Sequence, residues 1–546
     1  MRPLYPPNTN PRDGWIEEAL DATGARGSYH PFRFVVRLRS DMHERLDRIV
    51  PGVQTGKTDF ALLDAFSTYF HETLHWWQHI GSTTGLLLSL SPPMQSHINY
   101  NYLTSTLARI GPQKPLLSLA HEKPGTRSPD IEADINRIAN NWHDLEFNRR
   151  ILLNPTKISE VIKSPFFESQ GHSIEIGLAN LLLLLGVSAD SDFQTIPHPR
   201  GWETAAAKLR EAKVPGYCFG STVTTAPIGA LHIFEGQARF NQLQYLYLAS
   251  GGKLSWDEFR ALGMLSGLYV DAFDHFLRIS GCERPETPTS SEVLLFLLIC
   301  DLALNPSDGY PFGIHHFESL IESVDPGIRF CWFCSQIRQH HPQLRTAFHD
   351  YGPERYMDAA TVLCRSLGCE TPVGIARELS RWITNTPGIA ELLAEEAGSA
   401  YANENLPVRL CFAKHLRFAE DRIRRPEFFC WPAMFLVERD RPIDMDDSLT
   451  LFHRHQPPFL MHPNGEIRPA LFENVPEKNI YDTFNNFYYW MLQYDLIRQW
   501  IVSPGPFELD FTWMHPLYTA DFTEKWAEKA FQDLFGVSLS DFRYLQ

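Results

Sequence analysis

The stretch TDFALLDAFSTYFHETLHWWQHIG, residues 58–81, carries the clearest structural signature in the chain. Thr58 and Asp59 are typical helix-capping residues. After them, apolar side chains recur at intervals of three or four residues, at Phe60, Leu63, Phe66, Phe70 and Leu74. That spacing places them on one face of an α-helix. The pattern therefore predicts an amphipathic helix, from about residue 59 to about residue 80, that packs against a core.

Most of the remaining sequence shows the same helical spacing. Further helices are predicted for residues 129 to about 150, 174–185, 227 to about 248, 255 to about 278, 293–304 and 480 to about 501. Near the N-terminus, Phe32, Phe34, Val36 and Leu38 alternate with other residues, which indicates a strand with one buried face. We therefore expect a mainly α fold with a small N-terminal β-sheet, in the α+β class.

The chain is long enough to form more than one domain. It has 546 residues, 44% hydrophobic and 13% aromatic, spread over the whole length, so it can bury a large core and is not expected to be disordered. The clearest loop in the middle of the chain is GCERPETPTSS, Gly281–Ser291. We place a domain boundary there, between a first region at residues 1–285 and a mainly helical second region at residues 286–546.

The charge balance argues against a nucleic-acid partner. The net charge is −16, whereas binding to phosphates needs a clustered basic face. The most basic stretch, Arg409–Arg425, also contains Glu420 and Asp421, and we interpret it as the solvated face of a helix. No nucleic acid is therefore expected among the partners.

Nothing in the sequence indicates secretion or a membrane span. Residues 1–27 lack the apolar core of a signal peptide. The longest apolar runs, Leu181–Val187 and Val293–Cys300, are much shorter than the ~20 residues that cross a bilayer. The nine cysteines are therefore expected to be reduced thiols in a soluble cytoplasmic protein. The oligomeric state is not defined by the sequence.

Residues 71–75, His-Glu-Thr-Leu-His, form an H-E-x-x-H motif within the predicted helix. His71 and His75 are one helical turn apart, so both imidazoles can bind a single zinc ion. Glu72 projects beside that face and can act as a general base without binding the metal. Random placement of the same residues gives about 0.06 matches in a chain of this composition. We therefore interpret the motif as a metal site.

Glu235 is the best candidate for the third ligand. It lies in Glu235-Gly-Gln-Ala, on the helix predicted from residue 227. The pairing of H-E-x-x-H with a downstream E-G-x-A resembles the gluzincin branch of the zincin metallopeptidases. The resemblance covers two short helices and implies a zincin-like catalytic core in residues 1–285, elaborated by helices. It also implies one zinc ion held by His71, His75 and Glu235.

Two features depart from the gluzincin pattern or compete with it. The gap of 159 residues between His75 and Glu235 is longer than is usual in gluzincins, which keeps His172 and Glu175 as alternative third ligands. Glu235 also has Arg239 four residues later, which is the spacing of an ordinary helical ion pair.

A zinc-dependent metallopeptidase acting on a peptide or protein is the function these residues favour. Zinc would activate a water molecule and Glu72 would remove its proton. Three residues are candidates for the donor that would stabilise the negatively charged oxygen of the transition state. They are His232, one turn before Glu235, and Tyr269 and His275 on the next predicted helix. His79 continues the four-residue series, and we interpret it as a packing residue or a support for the ligands.

Two other functions remain open at this stage. One is an Fe(II)- and 2-oxoglutarate-dependent oxygenase that modifies peptides and uses the same histidines. The other is a binding protein with a non-catalytic metal site. A second zinc site is conceivable at Cys331, Cys334, Cys364 and Cys369, but buried free thiols are the expected state of these residues.

Overall fold

Helices dominate the fold. The computed structural model describes residues 26–48, 53–54, 58–122, 125–438, 443–462, 464–509 and 520–545. It is 66% helical, with a four-stranded mixed sheet built around N-terminal strands, which confirms the predicted fold class.

The elements are numbered in chain order. The helices are α1 (Ser40–Leu46), α2 (Phe60–Gly81), α3 (Thr83–Ser89), α4 (Ser91–Ile110), α5 (Leu116–Ala120), α6 (Pro129–Leu153), α7 (Ile158–Val161), α8 (Gln170–Ala189), α9 (Trp202–Glu211), α10 (Ala230–Ala249), α11 (Trp256–Ala261), α12 (Leu268–Ser280), α13 (Ser291–Leu304), α14 (Leu320–Val324), α15 (Pro326–Gln339), α16 (Pro353–Leu367), α17 (Pro372–Asn385), α18 (Pro387–Gly398), α19 (Leu406–Arg424), α20 (Pro426–Cys430), α21 (Met445–Arg454), α22 (Glu477–Val502) and α23 (Ala520–Phe535). The strands are β1 (Gly27–His30), β2 (Val35–Leu38), β3 (Val53–Gln54), β4 (Gln113–Lys114), β5 (Val437–Glu438), β6 (Phe459–Met461), β7 (Ile467–Pro469) and β8 (Arg543–Tyr544).

Helix α2 lies at the centre of the molecule. It covers the range predicted from the sequence, and its N-cap is Asp59, whose carboxylate accepts a hydrogen bond from the Ala61 amide at 2.7 Å. Its second half is buried on all sides, and Trp76 is fully enclosed. The helix packs against α10, α19 and the strands β1 and β2. The H-E-x-x-H residues are therefore held by several elements that are distant in sequence.

The four-stranded sheet has the order β1-β2-β6-β7. β2 is antiparallel to β1 and parallel to β6, and β7 is antiparallel to β6. The predicted strand over residues 32–38 is partly wrong, because residues 31–34 form the turn between β1 and β2, with Phe34 at φ 52°. Both faces of β2 are buried, since Val35 and Val36 are each fully enclosed. The alternation therefore does not mark one buried and one exposed face.

The sheet joins the two predicted regions. β1 and β2 belong to residues 1–285, whereas β6 and β7 belong to residues 286–546. One hydrophobic core also extends from Tyr29 to Phe542. The described core is continuous across residue 285, and the domain boundary there remains a prediction.

The helix predicted for residues 255–278 is divided into α11 and α12. Its start is as predicted, since Ser255 and Glu258 form a reciprocal capping box. Gly263 and Gly267 then adopt positive φ values of 74° and 56°, which end the first helix and set the direction of the second. The break matters for the site because α12 brings Tyr269 towards α2.

Helix α8 is the described helix that has the length and apolarity to cross a membrane. It packs against α6, α19 and α4, and most of its apolar window is buried. Its composition is therefore explained by its position inside the fold.

The basic stretch at residues 409–425 was expected to be solvated, and that expectation is wrong. It forms most of α19, which is largely buried. Its cations lie against acidic partners: Arg409 binds Glu395 at 2.5 Å, and Lys414 binds Glu396 at 2.7 Å. Burial of these pairs explains why the stretch does not form a basic surface.

Asp421 on α19 supplies a testable pH dependence. Burial opposes its ionisation, but hydrogen bonds and charges from His455 and Arg454, both 2.9 Å away, lower its pKa to about 2. A lowered carboxyl pKa stabilises the fold above the unfolded value of 3.8, and this stabilisation is lost as the pH falls towards 2.

We expect the substitution Asp421→Asn to destabilise the protein by about 2 kcal/mol at pH 7. The difference from wild type should be about half as large at pH 3, because the carboxyl group of the unfolded wild-type chain, with a pKa of 3.8, is then mostly protonated while that of the folded chain is still mostly ionised. Thermal unfolding of both proteins between pH 7 and pH 3 measures this. A difference that does not change with pH would contradict the electrostatic explanation.

Candidate metal centre

The centre lies where α2 and α10 cross in antiparallel directions. Near the C-terminal end of α2, Gln78 donates to the backbone oxygen of Phe234 at 2.9 Å. Near the N-terminal end of α2, Ser67 accepts a hydrogen bond from Gln242 at 3.0 Å. The middle turns of the two helices therefore face each other, and Glu235 is placed opposite the two histidines.

His71, His75 and Glu235 converge on one point. The Nε2 atoms of His71 and His75 are 3.1 Å apart, and each is 3.5 Å from Oε2 of Glu235. Ligands about 2.0–2.1 Å from a tetrahedral ion are separated by about 3.3 Å, so a point about 2 Å from all three atoms exists. Among the described residues, these form the one group of three or more His, Cys, Asp or Glu side chains close enough to share a cation.

Gln78 sets the orientation of His75. The Gln78 amide nitrogen donates to the Phe234 carbonyl and to Gln237, which leaves Oε1 of Gln78 as an acceptor for His75 Nδ1 at 2.8 Å. His75 must therefore carry a proton on Nδ1, and in the neutral ring the lone pair is on Nε2, which faces His71 and Glu235. Gln78 is not among the site residues predicted from the sequence, although it follows His75 by three residues on the same helix, a spacing at which side chains can interact.

Glu72 is buried beside the cluster and touches β1. A Cβ atom added to Gly27 would lie 2.8 Å from Cγ of Glu72, so only glycine leaves room for this carboxylate. Burial raises the pKa of Glu72 to about 8. A carboxylate in such a site can accept and release a proton near neutral pH.

The charges within the cluster are strongly coupled. Burial lowers the pKa of His71 to about 3. Burial also opposes protonation of His75, but the charge of Glu235 and its hydrogen bond raise the pKa of His75 to about 9. The pKa of Glu235 is lowered despite its burial, chiefly by the charge on His75. Without a cation, a proton on His75 therefore balances Glu235, and a metal ion would displace that proton.

Arg239 does not use Glu235 as a simple helical partner. Its guanidinium group stacks on the ring of Tyr269, 3.8 Å from the ring centroid, and donates to Gln242 at 2.5 Å. Tyr269 in turn packs edge-on against His71, with ring centroids 5.9 Å apart. The carboxylate of Glu235 faces the two histidines instead. Arg239 and Tyr269 thus bring a cation and a phenol to the edge of the cluster.

The other predicted residues have different surroundings. Nδ1 of His232 accepts a hydrogen bond from the Gly229 amide at 3.3 Å, and this contact caps the start of α10. The role of His232 as oxyanion donor remains a prediction. His275 interacts with Arg278. His79 packs in the core, with Nδ1 2.8 Å from the hydroxyl of Ser89, as the packing interpretation expected.

The alternative third ligands belong to another cluster. His172 on α8 lies 3.2 Å from Asp144 of α6 and 3.7 Å from Glu168. The pKa of Glu175 is raised, chiefly by burial, and the charge of His172 is the largest effect that opposes this rise. The structure therefore brings Glu235, rather than His172 or Glu175, to the histidines of α2.

The cysteines are free thiols, as expected. Cys331 and Cys334 lie on α15, Cys364 lies near the end of α16, and the backbone amide of Cys369 folds back onto the Cys364 carbonyl at 3.1 Å. These four residues do not form a metal-binding group in the described part of the chain.

Comparison with known proteins adds no relative. No protein-family model, no curated protein and no solved structure matches the chain. The resemblance to gluzincins therefore depends on the motif residues alone.

Proposed function

We propose that the protein is a zinc-dependent metallopeptidase, with His71, His75 and Glu235 as metal ligands and Glu72 as general base. The observation that carries this proposal is the near-equilateral arrangement of the three ligand atoms, with sides of 3.1, 3.5 and 3.5 Å. Such a set leaves the fourth tetrahedral position for water or substrate. We further propose a cytoplasmic location and a peptide or protein substrate.

A zinc ion held there would supply Lewis acidity, which lowers the pKa of a bound water molecule to about 7 and polarises a carbonyl group. Glu72 would remove the proton from the attacking water and transfer it to the nitrogen of the leaving amine. Its burial against Gly27 keeps bulk water from competing for that proton. A C–O bond would form as the C–N bond breaks, and the proton that Glu72 accepts would leave on the amine, which returns Glu72 to its starting state.

Tyr269 and Arg239 are the best-placed groups for the oxyanion. Tyr269 packs edge-on against the ligand candidate His71, with ring centroids 5.9 Å apart, and so lies beside the proposed centre. Arg239 fixes the ring by stacking at 3.8 Å and can stabilise negative charge on the substrate. His232 and His275 remain further candidates.

A two-histidine, one-carboxylate set also suits Fe(II), so the identity of the metal is part of the test. We expect protein purified without oxygen to contain one zinc per chain and to cleave casein. A chelator should abolish both properties, and added zinc should restore them. Elemental analysis and a cleavage assay measure this. Stoichiometric iron with turnover of 2-oxoglutarate, or a protein with no metal whose melting is unaffected by chelation, would contradict the proposal.

A further inference from the structure

A large cavity lies beyond the turn that follows β1. Its volume is about 430 Å³, which is in the range of small-molecule and peptide side-chain sites. The walls come from the β1–β2 turn, α4, α6, the segment that follows α6, and α22 together with the residues after it. Residues that define them include His30, Ser96, Trp142, Arg149 and Tyr494.

Strand β1 connects this cavity to the candidate metal centre. At one end of the strand, Gly27 lies against the carboxylate of Glu72. At the other end, His30 lines the cavity. Three residues of extended chain span about 10 Å, so the cavity lies at that distance from Glu72 along the strand.

Helices α6 and α10 provide a second, independent connection. Gly229, the N-cap of α10, lies against the end of α6, where an added Cβ atom would approach the Leu153 carbonyl to 2.5 Å. Glu235 follows Gly229 by six residues, or about 9 Å of helix. Arg149 lies one turn before Leu153 and lines the cavity. Contacts through two different sets of elements thus place the cavity near the metal centre.

The lining combines aromatic rings with paired charges. Glu146 accepts hydrogen bonds from Arg149 at 2.9 Å and from Arg150 at 2.8 Å, and Asp495 accepts from Arg498 at 2.6 Å. Arginines that carboxylates already hold are poor partners for a phosphate group. Trp142 and Tyr494, each 9% exposed, add aromatic surface to the same lining. The cavity therefore suits a bulky apolar side chain flanked by peptide groups, which hydrogen-bond to both kinds of charge.

We propose that this cavity binds an aromatic or large aliphatic side chain of a peptide substrate. This proposal rests on the proposed peptidase function in one respect: if the protein is a peptidase, the bound residue lies three or four positions from the bond that is cleaved. An extended peptide rises about 3.3 Å per residue, so three residues cover the separation of about 10 Å. Binding itself does not depend on cleavage.

The substitution Ser96→Trp tests the cavity, because it places an indole ring inside it. We expect it to reduce the retention of tryptic casein peptides at least tenfold, measured by mass spectrometry on immobilised protein with Glu72→Gln as the common background. Thr104→Trp, at an exposed position of the same helix, is the matched control and should retain the peptides within twofold. The retained peptides should be enriched in Phe, Tyr, Trp and Leu.

A second variant guards against misfolding of the first. Arg498→Ala removes a lining guanidinium group that is only 21% exposed, and Arg381→Ala, at a site 69% exposed on α17, is its control. We expect Arg498→Ala to weaken retention at least threefold while its melting temperature matches that of the control.

The outcomes separate the two proposals. Peptides that bind through the cavity but are never cleaved by the zinc-loaded wild-type chain would leave the cavity proposal standing and overturn the peptidase. If casein is cleaved with a residue preference that Ser96→Trp does not change, the peptidase proposal would stand and the cavity proposal would be overturned. Retention by Ser96→Trp equal to that by Thr104→Trp, or no retention of peptides by the background protein, would overturn the cavity proposal.

Discussion

The substitution Glu72→Gln is expected to lower kcat/KM for peptide hydrolysis by about 1,000-fold, within the usual range for the loss of a general base. Glutamine has nearly the same shape and fits beside Gly27, but it cannot accept the proton from water. Because Glu72 is not a ligand in the proposed site, the metal content should remain at one ion per chain. Activity assays and elemental analysis of the same preparation measure both effects.

Glu175→Gln is the matched control for this experiment. Glu175 is also a buried carboxylate with a pKa that burial raises, but it lies on α8 beside His172. We expect this variant to keep both metal and activity. If Glu72→Gln hydrolyses casein as fast as wild type, Glu72 is not the base and the proposed mechanism is wrong.

Glu235→Ala is expected to weaken metal binding at least 100-fold, because only two ligands remain. The same change removes the charge that raises the pKa of His75 to about 9, so the pKa of His75 should fall by several units in the metal-free protein. Competition with a chelator measures the affinity, and NMR titration of the histidine ring measures the pKa. The second readout separates the loss of a ligand from a general loss of structure.

Glu175→Ala is the control for this experiment, because Glu175 is one of the two alternative third ligands, with His172. It should bind metal as tightly as wild type. Unchanged metal binding by Glu235→Ala would show that Glu235 has only a structural role, such as an interaction with Arg239. Loss of metal in the Glu175 variant instead would move the third ligand to α8.

The helices could be predicted where one apolar face repeats without interruption. Helix α2 begins and ends within one or two residues of its predicted limits because its cap and its periodicity are both local features. The segment at residues 255–278 was predicted as one helix because periodicity continues on both sides of Gly263 and Gly267. Their positive φ values, which break it, depend on how α12 packs on α10. The buried state of α19 could not be predicted, since acidic partners such as Glu395 come from another helix.

The candidate site divides along the same line. The sequence by itself determined that His71 and His75 share a face with Glu72 beside them, because helical geometry relates residues only a few positions apart. Only the tertiary structure decided which carboxylate lies opposite the two histidines. It is that of Glu235, 160 positions after His75, because α2 and α10 cross there. The same crossing sets the Gln78–Phe234 hydrogen bond, and the packing of β1 and α12 places Gly27 and Tyr269. Such contacts arise from burial of whole elements against each other, which no local pattern records.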